Sequence, residues 1–421
     1  MKTIKLRDLC FPEQIGKYGI PASAEEFSLD KVRYLRISDI DDKGNLLNND
    51  KKSVSSDDLD KYILEEGDIV FARTGNSTGR TYFHENKNGK LAFAGFLIKY
   101  GIDPSKINPK FLKYYTVTNE YKQWVNNLSV GSTRGNMNAQ TFSDCQIPLI
   151  KRTQQNLLVD VLSALDDKIE LNNKINAELE ALAKTLYDYW FVQFDFPNAD
   201  GQPYKSSDGE MVYNEQLKRE IPEGWEVCTV SELAKTGSGG TPLSTKLEYY
   251  NDGKIAWINS GETNNPFIIN TKNYITELGL KNSSAKIFPK NTLLMAMYGA
   301  TAGKVSFLKF EATTNQAICA IIPNNKEHTY LLKYTLESMY QYLINLSSGS
   351  ARDNLSQDKI KKLQIINPNQ IVLTKFHQFV DGLYNKYYIN SQQNQELASL
   401  RDWLLPMLMN GQVTVKDAFE G

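Results

Sequence analysis

Four short loops bounded by glycine carry the residues of this sequence whose types and spacing could do chemistry. The loops are residues 75–80, 131–137, 299–304 and 349–355. Their basic residues are Arg80, Arg134, Lys304 and Arg352. Guanidinium, ammonium, amide and hydroxyl groups on loops reach phosphate oxygens and base edges. The loops therefore indicate a binding chemistry directed at anionic or hydrogen-bonding ligands.

The charge around these loops is locally basic, although the 421-residue chain has a net charge of -1. Between Arg73 and Arg134 there are ten Lys and Arg residues against three acids, and between Lys281 and Phe310 there are five Lys and no acid. Such stretches are compatible with phosphate contact, and a solvated surface of mixed charge is the alternative.

Each candidate catalytic or metal-binding motif in this sequence is incomplete. The run Gly299 to Lys304 has only three residues between its glycines and lacks the Lys-Ser/Thr pair of a nucleotide-binding loop. The three histidines are far apart, and the four cysteines contain no Cys-x-x-Cys pair. We therefore expect no enzyme, no zinc site and a reducing compartment. An enzyme with an unrecognised site stays as a third hypothesis.

The two halves of the chain repeat each other. A shift of 218 places residues 131–137 on residues 349–355, and a shift of 224 places residues 75–80 on residues 299–304. One unit, a mixed domain followed by a helix, is therefore used twice.

Each half continues into a long helical stretch with a heptad pattern. From Leu158 to Tyr189, apolar residues recur at positions a and d, with Asn172 at an a position and Lys168 at a d position. The same shift of 218 gives a second seam, in which Asn390 answers Asn172 and Lys386 answers Lys168. A buried Asn at such a position fixes register. We expect the two helices to pair with Asn172 near Asn390, and the Asn match does not choose the orientation.

The boundaries of these helices carry their own signals. Asn367 followed by Pro368 predicts a helix N-cap, and Pro406 is expected to end or kink the second helix. No signal peptide is visible, and no apolar run approaches the ~20 residues that a membrane span needs. A soluble cytoplasmic protein is expected.

Two hypotheses from different classes fit a helix pair that holds two similar domains. About 32 to 36 residues at about 1.5 Å each make a rod of roughly 50 Å, and a turn of B-DNA is about 34 Å. Two domains could therefore read two patches of one duplex. The alternative is a non-catalytic structural adaptor with a coiled-coil hairpin. Arginines at matched places in both halves favour the first hypothesis.

The sequence resembles the specificity (S) subunits of type I restriction-modification systems over nearly its whole length. The resemblance rests on residues 161–173, which continue to residues 178–183 and to Trp190-Phe191. The run Ile221-Pro222-Glu223-Gly224-Trp225-Glu226 and the turn Gly240-Thr241-Pro242 add to it. The chain departs from the family in lacking a Pro-Glu-Gly-Trp segment before its first domain.

The resemblance implies an α+β fold with an internal pseudo-two-fold repeat. Two mixed α/β target-recognition domains would be separated by two long helices that form an antiparallel coiled coil. The expected boundaries are target-recognition domain 1 at 1–150, a central conserved helix at 151–194, a connector at 195–221, target-recognition domain 2 at 222–367, and a distal conserved helix and tail at 368–421.

The resemblance also implies a function without catalysis. Each domain would read one half of a bipartite double-stranded DNA site, while the helices set the spacer and dock two methyltransferase subunits. Restriction and translocase subunits would complete the complex. No cofactor is expected on this chain, since S-adenosylmethionine, ATP and Mg would be bound by the partners. A specificity subunit of a methylation-only system is a further alternative.

The expected DNA contacts then follow from the loops. In the first half they are Arg73, Asn76, Ser77, Thr78, Arg80, Ser132, Thr133, Arg134 and Asn136. In the second half they are Thr301, Lys304, Ser350, Arg352 and Asn354. The loop at residues 131–137, which recurs at residues 349–355, is expected to hold backbone or phosphate, since base-reading residues should differ between halves that read different words.

Overall fold

A computed structural model describes residues 2–129, 136–299, 301–340, 342–343 and 355–412. The chain divides into two compact units, Met1–Glu170 with Gln395–Gly421, and Leu171–Asn394. Each unit contains one mixed domain and parts of two long helices. We name Arg152–Tyr187 the central helix and Gln370–Met409 the distal helix.

The first domain is built from short strands arranged in small sheets. Its strands are β1 (Thr3–Lys5), β2 (Lys17–Tyr18), β3 (Glu25–Glu26), β4 (Val32–Leu35), β5 (Lys52–Val54), β6 (Asp68–Ala72), β7 (Thr81–Phe83), β8 (Leu91–Phe93), β9 (Leu97–Gly101) and β10 (Gln146–Pro148). The sheet orders are β2-β9-β6-β7 and β3-β5-β4-β8, and β1 pairs antiparallel with β10. Its helices are Pro109–Tyr115, Asn119–Ser129 and Ala139–Ser143.

The second domain repeats this plan. Its strands, after a hairpin of β11 (Met211–Asn214) and β12 (Arg219–Pro222), are β13 (Glu226–Thr229), β14 (Ala234–Ser238), β15 (Ile255–Ile258), β16 (Phe267–Ile268), β17 (Tyr274–Ile275), β18 (Leu293–Ala296), β19 (Val305–Leu308), β20 (Thr313–Thr314), β21 (Ile318–Pro323) and β22 (Gln364–Asn367). Its helices are Val230–Leu233, Glu277–Lys281, His328–Ser338 and Gln357–Lys361.

Strand pairing confirms the internal repeat. The order β14-β21-β18-β19 reproduces β2-β9-β6-β7, and the pair β13-β22 reproduces β1-β10. The parallel pair β4-β8 returns as β15-β20. In the first domain β1 pairs with β10, which precedes the central helix, and in the second domain β13 pairs with β22, which precedes the distal helix.

The long helices pack on the domain cores. In the first unit, Leu158 and Leu162 of the central helix and Leu408 of the distal helix join the core around Phe71 and Phe111. In the second unit, Tyr187, Trp190 and Phe376 belong to a core that includes the domain's central strands. Burial of these apolar side chains fixes both helices on each domain.

The helices pair antiparallel, as the resemblance implied. In the second unit, Asn172 Nδ2 donates to Gln393 Oε1 and Asn394 Oδ1, both at 2.9 Å. Asn390 Nδ2 donates to Asn176 Oδ1 at 2.9 Å. Partner numbers fall on the distal helix as they rise on the central helix, which only an antiparallel pair allows. Asn172 and Asn390 are both buried, but they bond to other residues and not to each other.

The predicted seam was correct at its a positions, whereas most of its d positions are exposed, although Val161 and Ile175 are half-buried and Gln393 bonds to Asn172. Lys168 and Lys386 are exposed, as are Leu182 at 56% and Phe379 at 65%. The buried row lies four residues after each a position instead of three. On the central helix this row is Leu162, Ile169, Asn176 and Ala183, and Trp190 continues it in the helical segment Asp188–Val192; all are buried or half-buried. Positions three and four residues after a flank the same face, so the heptad count alone did not distinguish them.

Several predicted boundaries also differ. Both Asn367 and Pro368 precede the distal helix, whose cap is Asn369, where Oδ1 accepts from the Val372 backbone N–H at 3.0 Å. The distal helix continues through Pro406 to Met409. The connector contains the β11-β12 hairpin, since Val212 and Ile221 pair across it.

Candidate nucleic-acid interface

The first basic loop of each domain connects two adjacent antiparallel strands at the same place in the sheet. In the first domain the loop joins β6 to β7, and the Gly79 N–H donates to the Ala72 carbonyl at 2.9 Å. In the second it joins β18 to β19, and the Gly303 N–H donates to the Ala296 carbonyl at 2.8 Å. Arg80 and Lys304 follow these glycines and are thus structural equivalents.

Glycine is required before each basic residue. Gly79 has a φ of +85° and Gly303 a φ of +81°. A Cβ on Gly79 would lie 2.5 Å from Val125, and one on Gly303 would lie 2.5 Å from Tyr340. Because a helical segment packs closely against each glycine, the backbone position of the next residue, Arg80 or Lys304, is fixed.

The polar residues of the first loop are partly occupied by local bonds. Arg80 Nε lies 2.7 Å from Asp42 Oδ1, and its Nη1 lies 3.3 Å from Ser77 Oγ. Thr78 Oγ1 donates to the Gly75 carbonyl at 2.8 Å. Asn76 is exposed at the loop surface.

Arg73 and Asn136 are brought together beside this loop. The neighbouring Thr74 pairs with Asn136 as an isolated antiparallel bridge, and the Met137 N–H donates to the Arg73 carbonyl at 2.9 Å. The Arg73 guanidinium carbon lies 5.0 Å from the centroid of the Tyr18 ring. Tyr18 was missed from the sequence because nothing in its short strand marks it as a partner of Arg73.

The basic loop between β18 and β19 in the second domain has a different environment. Thr301 is buried, and its Oγ1 donates to the Ser260 carbonyl at 3.1 Å, which makes it a structural residue of the loop. Lys304 is exposed, and its Nζ lies 5.2 Å from the centroid of the Tyr340 ring. An ammonium over an aromatic face is weakly attracted and keeps its charge available.

The other predicted loop residues lie outside the part of the chain that the structure describes. They are Ser132, Thr133, Arg134, Ser350, Arg352 and Asn354.

Much of the basic stretch in the first domain is neutralised locally. Lys99 and Asp68 form a buried pair at 2.9 Å. Lys110 lies 2.7 Å from Glu85, and Lys87 lies 2.8 Å from Glu170 of the central helix. Counting charges along the sequence therefore overestimated the cationic surface, because many of these lysines hold the domain together.

Cysteine and histidine side chains are placed for structure. Burial raises the pKa of the Cys10, Cys145 and Cys319 thiols to about 12, so these thiols are poor nucleophiles near neutral pH. His84 is buried, which lowers its pKa. Within the described ranges, no three His, Cys, Asp or Glu side chains are grouped so that they could hold a metal ion. The described helices include none long and apolar enough to cross a membrane.

The fold thus defines a class of protein in which two repeat-related domains carry a basic loop at the same place and share an antiparallel pair of helices. A family model described as "Type I restriction modification DNA specificity domain" matches residues 1–181 and again residues 222–399. The chain belongs to this family. By its family it is a specificity subunit and not an enzyme.

Individual relatives agree with this assignment. The type I restriction enzyme HindI specificity subunit of Haemophilus influenzae is 27% identical over 410 residues, covering 84% of this chain and 88% of that protein. The MjaIX specificity subunit of Methanocaldococcus jannaschii is 29% identical over 313 residues, covering 73% and 70%. A crystal structure of a type I restriction-modification S subunit from M. genitalium has the same fold, with a TM-score of 0.56 at 16% identity and coverage of 97% and 95%.

Proposed function

We propose that this chain directs a type I restriction-modification complex to a bipartite DNA sequence, with each domain reading one half of it. The observation that carries the proposal is the pair Arg80 and Lys304, which follow equivalent glycines between equivalent strands in two copies of a DNA specificity domain. A cation at the same place in both domains suits the phosphate backbone, which is alike at both half-words. Asn76, which is exposed in this loop, and Asn136, which pairs with Thr74 beside it, are proposed to contact the same half-word.

The helix pair is proposed to set the gap between the half-words. Within each unit, segments of both helices pack on the domain core, which supports this proposal. Its polar centre at Asn172, Asn176 and Asn390 supports one register, because a buried amide without a partner is costly.

The exposed faces of the helices are proposed to bind two copies of a modification subunit. Leu171 and Leu182 of the central helix are 51% and 56% exposed. A shift of 218 relates them to Ile389 and Leu400 of the distal helix, which are 56% and 43% exposed. Matching apolar positions on both helices suit two copies of one partner, since exposed apolar surface of this kind marks interaction sites.

The chemistry belongs to the partners in this proposal. The modification subunits would bind S-adenosylmethionine, and restriction subunits would bind ATP and Mg. The complex would act in the cytoplasm, where the DNA is accessible.

Co-expression with the modification subunit encoded beside this chain tests the proposal. Mapping methylated adenine across the host genome should show one bipartite motif with a fixed gap. A stable complex that adds no methylation would overturn the DNA-reading role and favour a structural adaptor. Methylation without cleavage in the presence of restriction subunits would show a methylation-only system.

The partner surface has its own test. Leu182→Asp combined with Leu400→Asp should lower modification-subunit binding at least tenfold, measured by isothermal titration, because each change puts a charge into an apolar contact. Ala177→Asp, at an exposed position on another side of the central helix, is the matched control and should leave binding unchanged. Equal binding by all three proteins would show that the partner uses another surface.

A further inference from the structure

Arg73 lies beside an exposed aromatic ring at the place where β6 ends. It is half-buried at the end of β6, with its guanidinium carbon 5.0 Å from the Tyr18 ring centroid. Its backbone N–H donates to the Phe96 carbonyl at 3.0 Å. Tyr18 is 43% exposed and Phe96 is 59% exposed. The cation therefore lies beside the exposed Tyr18 ring, while the Phe96 carbonyl holds the Arg73 backbone.

The guanidinium of Arg73 has unused hydrogen-bonding capacity. Its Nε is buried, and among the described residues it has no hydrogen-bond partner. Arg73 also forms no ion pair with a carboxylate in that part of the chain, in contrast to Arg80, which Asp42 holds at 2.7 Å. A fixed, desolvated donor without an acceptor is costly to keep unless a ligand supplies the acceptor.

Strand register identifies the counterparts of this group in the second domain. The Arg73 N–H bonds to the Phe96 carbonyl in the same way that the Met297 N–H bonds to the Ala317 carbonyl, at 2.8 Å. Tyr18 pairs with Ile98, which faces Phe71 on β6. Ser238 pairs with Cys319, which faces Met295 on β18. The cluster Arg73, Tyr18 and Phe96 thus becomes Met297, Ser238 and Ala317.

This contrast separates two kinds of residue in one loop region. Arg80 and Lys304 keep a cation at equivalent places, as a phosphate contact requires in both domains. Arg73 and Met297 differ completely in chemistry at equivalent places. A residue that reads sequence must differ between domains that read different half-words, whereas a residue that holds the backbone need not.

We propose that Arg73 is a base-reading residue of the first domain and that it recognises a guanine through its O6 and N7 acceptors. Two parallel acceptors match the fork of donors on a guanidinium, and this is the commonest specific contact of arginine with DNA. Tyr18 orients the guanidinium by stacking against its face. The inference rests on the proposed function and names the base class that one of its two sites selects.

The test uses the purified complex of the full chain with its modification subunit. Fluorescence anisotropy measures binding to a duplex that carries the motif found by methylation mapping. It also measures binding to duplexes in which one base pair of that motif is changed at a time. Wild type should discriminate against replacement of one G·C pair by about 5- to 150-fold, the range of a good bidentate contact. Arg73→Met, which installs the residue of the second domain, should abolish discrimination at that pair only and leave the other half-word unchanged.

Two more variants keep the test decisive. Arg73→Gln preserves a polar side chain if the Met variant fails to assemble, and it should also lose the preference for G·C at that pair. Tyr18→Ser should reduce discrimination at the same pair without moving any other. Unchanged discrimination at every pair in Arg73→Met, or an equal loss on all duplexes, overturns the inference while leaving the proposed function intact. A wild-type complex without any bipartite preference overturns the proposed function itself.

Discussion

At the scale of single residues, Arg80 and Lys304 show how cations at equivalent positions can differ in their attraction for phosphate. Arg80 faces Asp42 at 2.7 Å, whereas Lys304 has no carboxylate within ion-pair distance among the described residues. A neutralised cation attracts phosphate less than a free one, because the duplex must compete with the carboxylate.

Lys304→Ala should therefore weaken binding to every duplex by a similar factor. The slope of log affinity against log salt should fall in magnitude by about 1, the value for one lost phosphate contact. Arg80→Ala should have the smaller effect, and Asp42→Asn should strengthen binding at low salt by freeing Arg80. Anisotropy titrations at several salt concentrations measure these slopes. An effect of Lys304→Ala that is confined to one base pair would contradict the phosphate role.

Asp166 is the residue through which the first domain, the central helix and the distal helix meet in the first unit. Its carboxylate lies 2.8 Å from Arg401 Nη1, 3.0 Å from the Tyr114 hydroxyl and 3.3 Å from Lys113 Nζ. Burial raises the pKa of Asp166, but Lys113 and Arg401 lower it further, so its pKa lies below the ordinary value. A carboxyl with a lowered folded pKa stabilises the protein above the unfolded pKa of about 3.9.

Asp166→Asn should consequently destabilise the first unit at pH 7 by about 1.5–3 kcal/mol, the usual value for hydrogen bonds to a charged group. The difference from wild type should shrink as the pH falls from about 4, the unfolded pKa, through the lowered pKa of Asp166 in the folded protein, below which the folded wild-type carboxyl is also protonated. Denaturant unfolding at pH 7 and at lower pH measures this. Asp167→Asn is the control, since its side chain is 66% exposed and its pair with Lys87 spans 3.5 Å. Equal losses at both pH values would rule out the ion pair as the cause.

At the scale of elements, the sequence predicted the existence of both long helices and the repeat, but not the face on which the helices meet. The prediction was correct at the a positions because an apolar residue stands there every seven residues, with Asn172 as the one exception on the central helix. The second row was misassigned because Val161, Ile175 and Leu182 make the position three residues later apolar as well. Which of the two apolar rows is buried depends on the other helix of the pair and on any protein that binds the helices at the surface. The sequence of one helix contains neither piece of information.

The candidate site shows the same division. The loop at Arg80 was predictable, since glycine spacing and repetition are local signals. The association of Arg73 with Tyr18 was not, because it depends on β2 lying beside β9 and β9 beside β6. Contacts that cross three strands need the register of the sheet, which no short sequence window contains.

The polar centre of the helix pair allows a test of how its asparagines act. Asn390 Nδ2 donates to Asn176 Oδ1 at 2.9 Å, and both residues are 4% exposed. Asn390→Leu alone should cost about 1–3 kcal/mol of unfolding free energy, because it leaves the Asn176 oxygen buried without that donor. The double variant Asn176→Leu with Asn390→Leu should recover most of this loss. Denaturant unfolding of the wild type, the single variants Asn176→Leu and Asn390→Leu, and the double variant gives the coupling energy, and additive losses would mean that the two amides act independently.

At the scale of the whole molecule, the duplication extends to the contacts of the helix pair. Asn172 bonds Asn394, Asn176 bonds Asn390, and the shift of 218 exchanges these two pairs. An antiparallel pair in which the repeat maps each contact onto the other is the arrangement expected when a domain-plus-helix unit is used twice. A change in helix length must then be made in both helices, in whole heptads, to keep the buried rows opposed.

Three heptads inserted after Ala177 and again after Tyr388 should lengthen the gap of the recognised motif by nine to ten base pairs, about one DNA turn. Twenty-one residues at about 1.5 Å add about 32 Å, and B-DNA rises about 3.4 Å per base pair. The second half-word then returns to nearly the same face of the duplex. One heptad adds about 10 Å, which moves that half-word roughly three base pairs along and about 100° around, so methylation should fall sharply. Mapping methylated adenine in cells that express each variant gives the gap directly. Unchanged half-words with an unchanged gap would show that the DNA spacing is set by the domains and not by the helix pair.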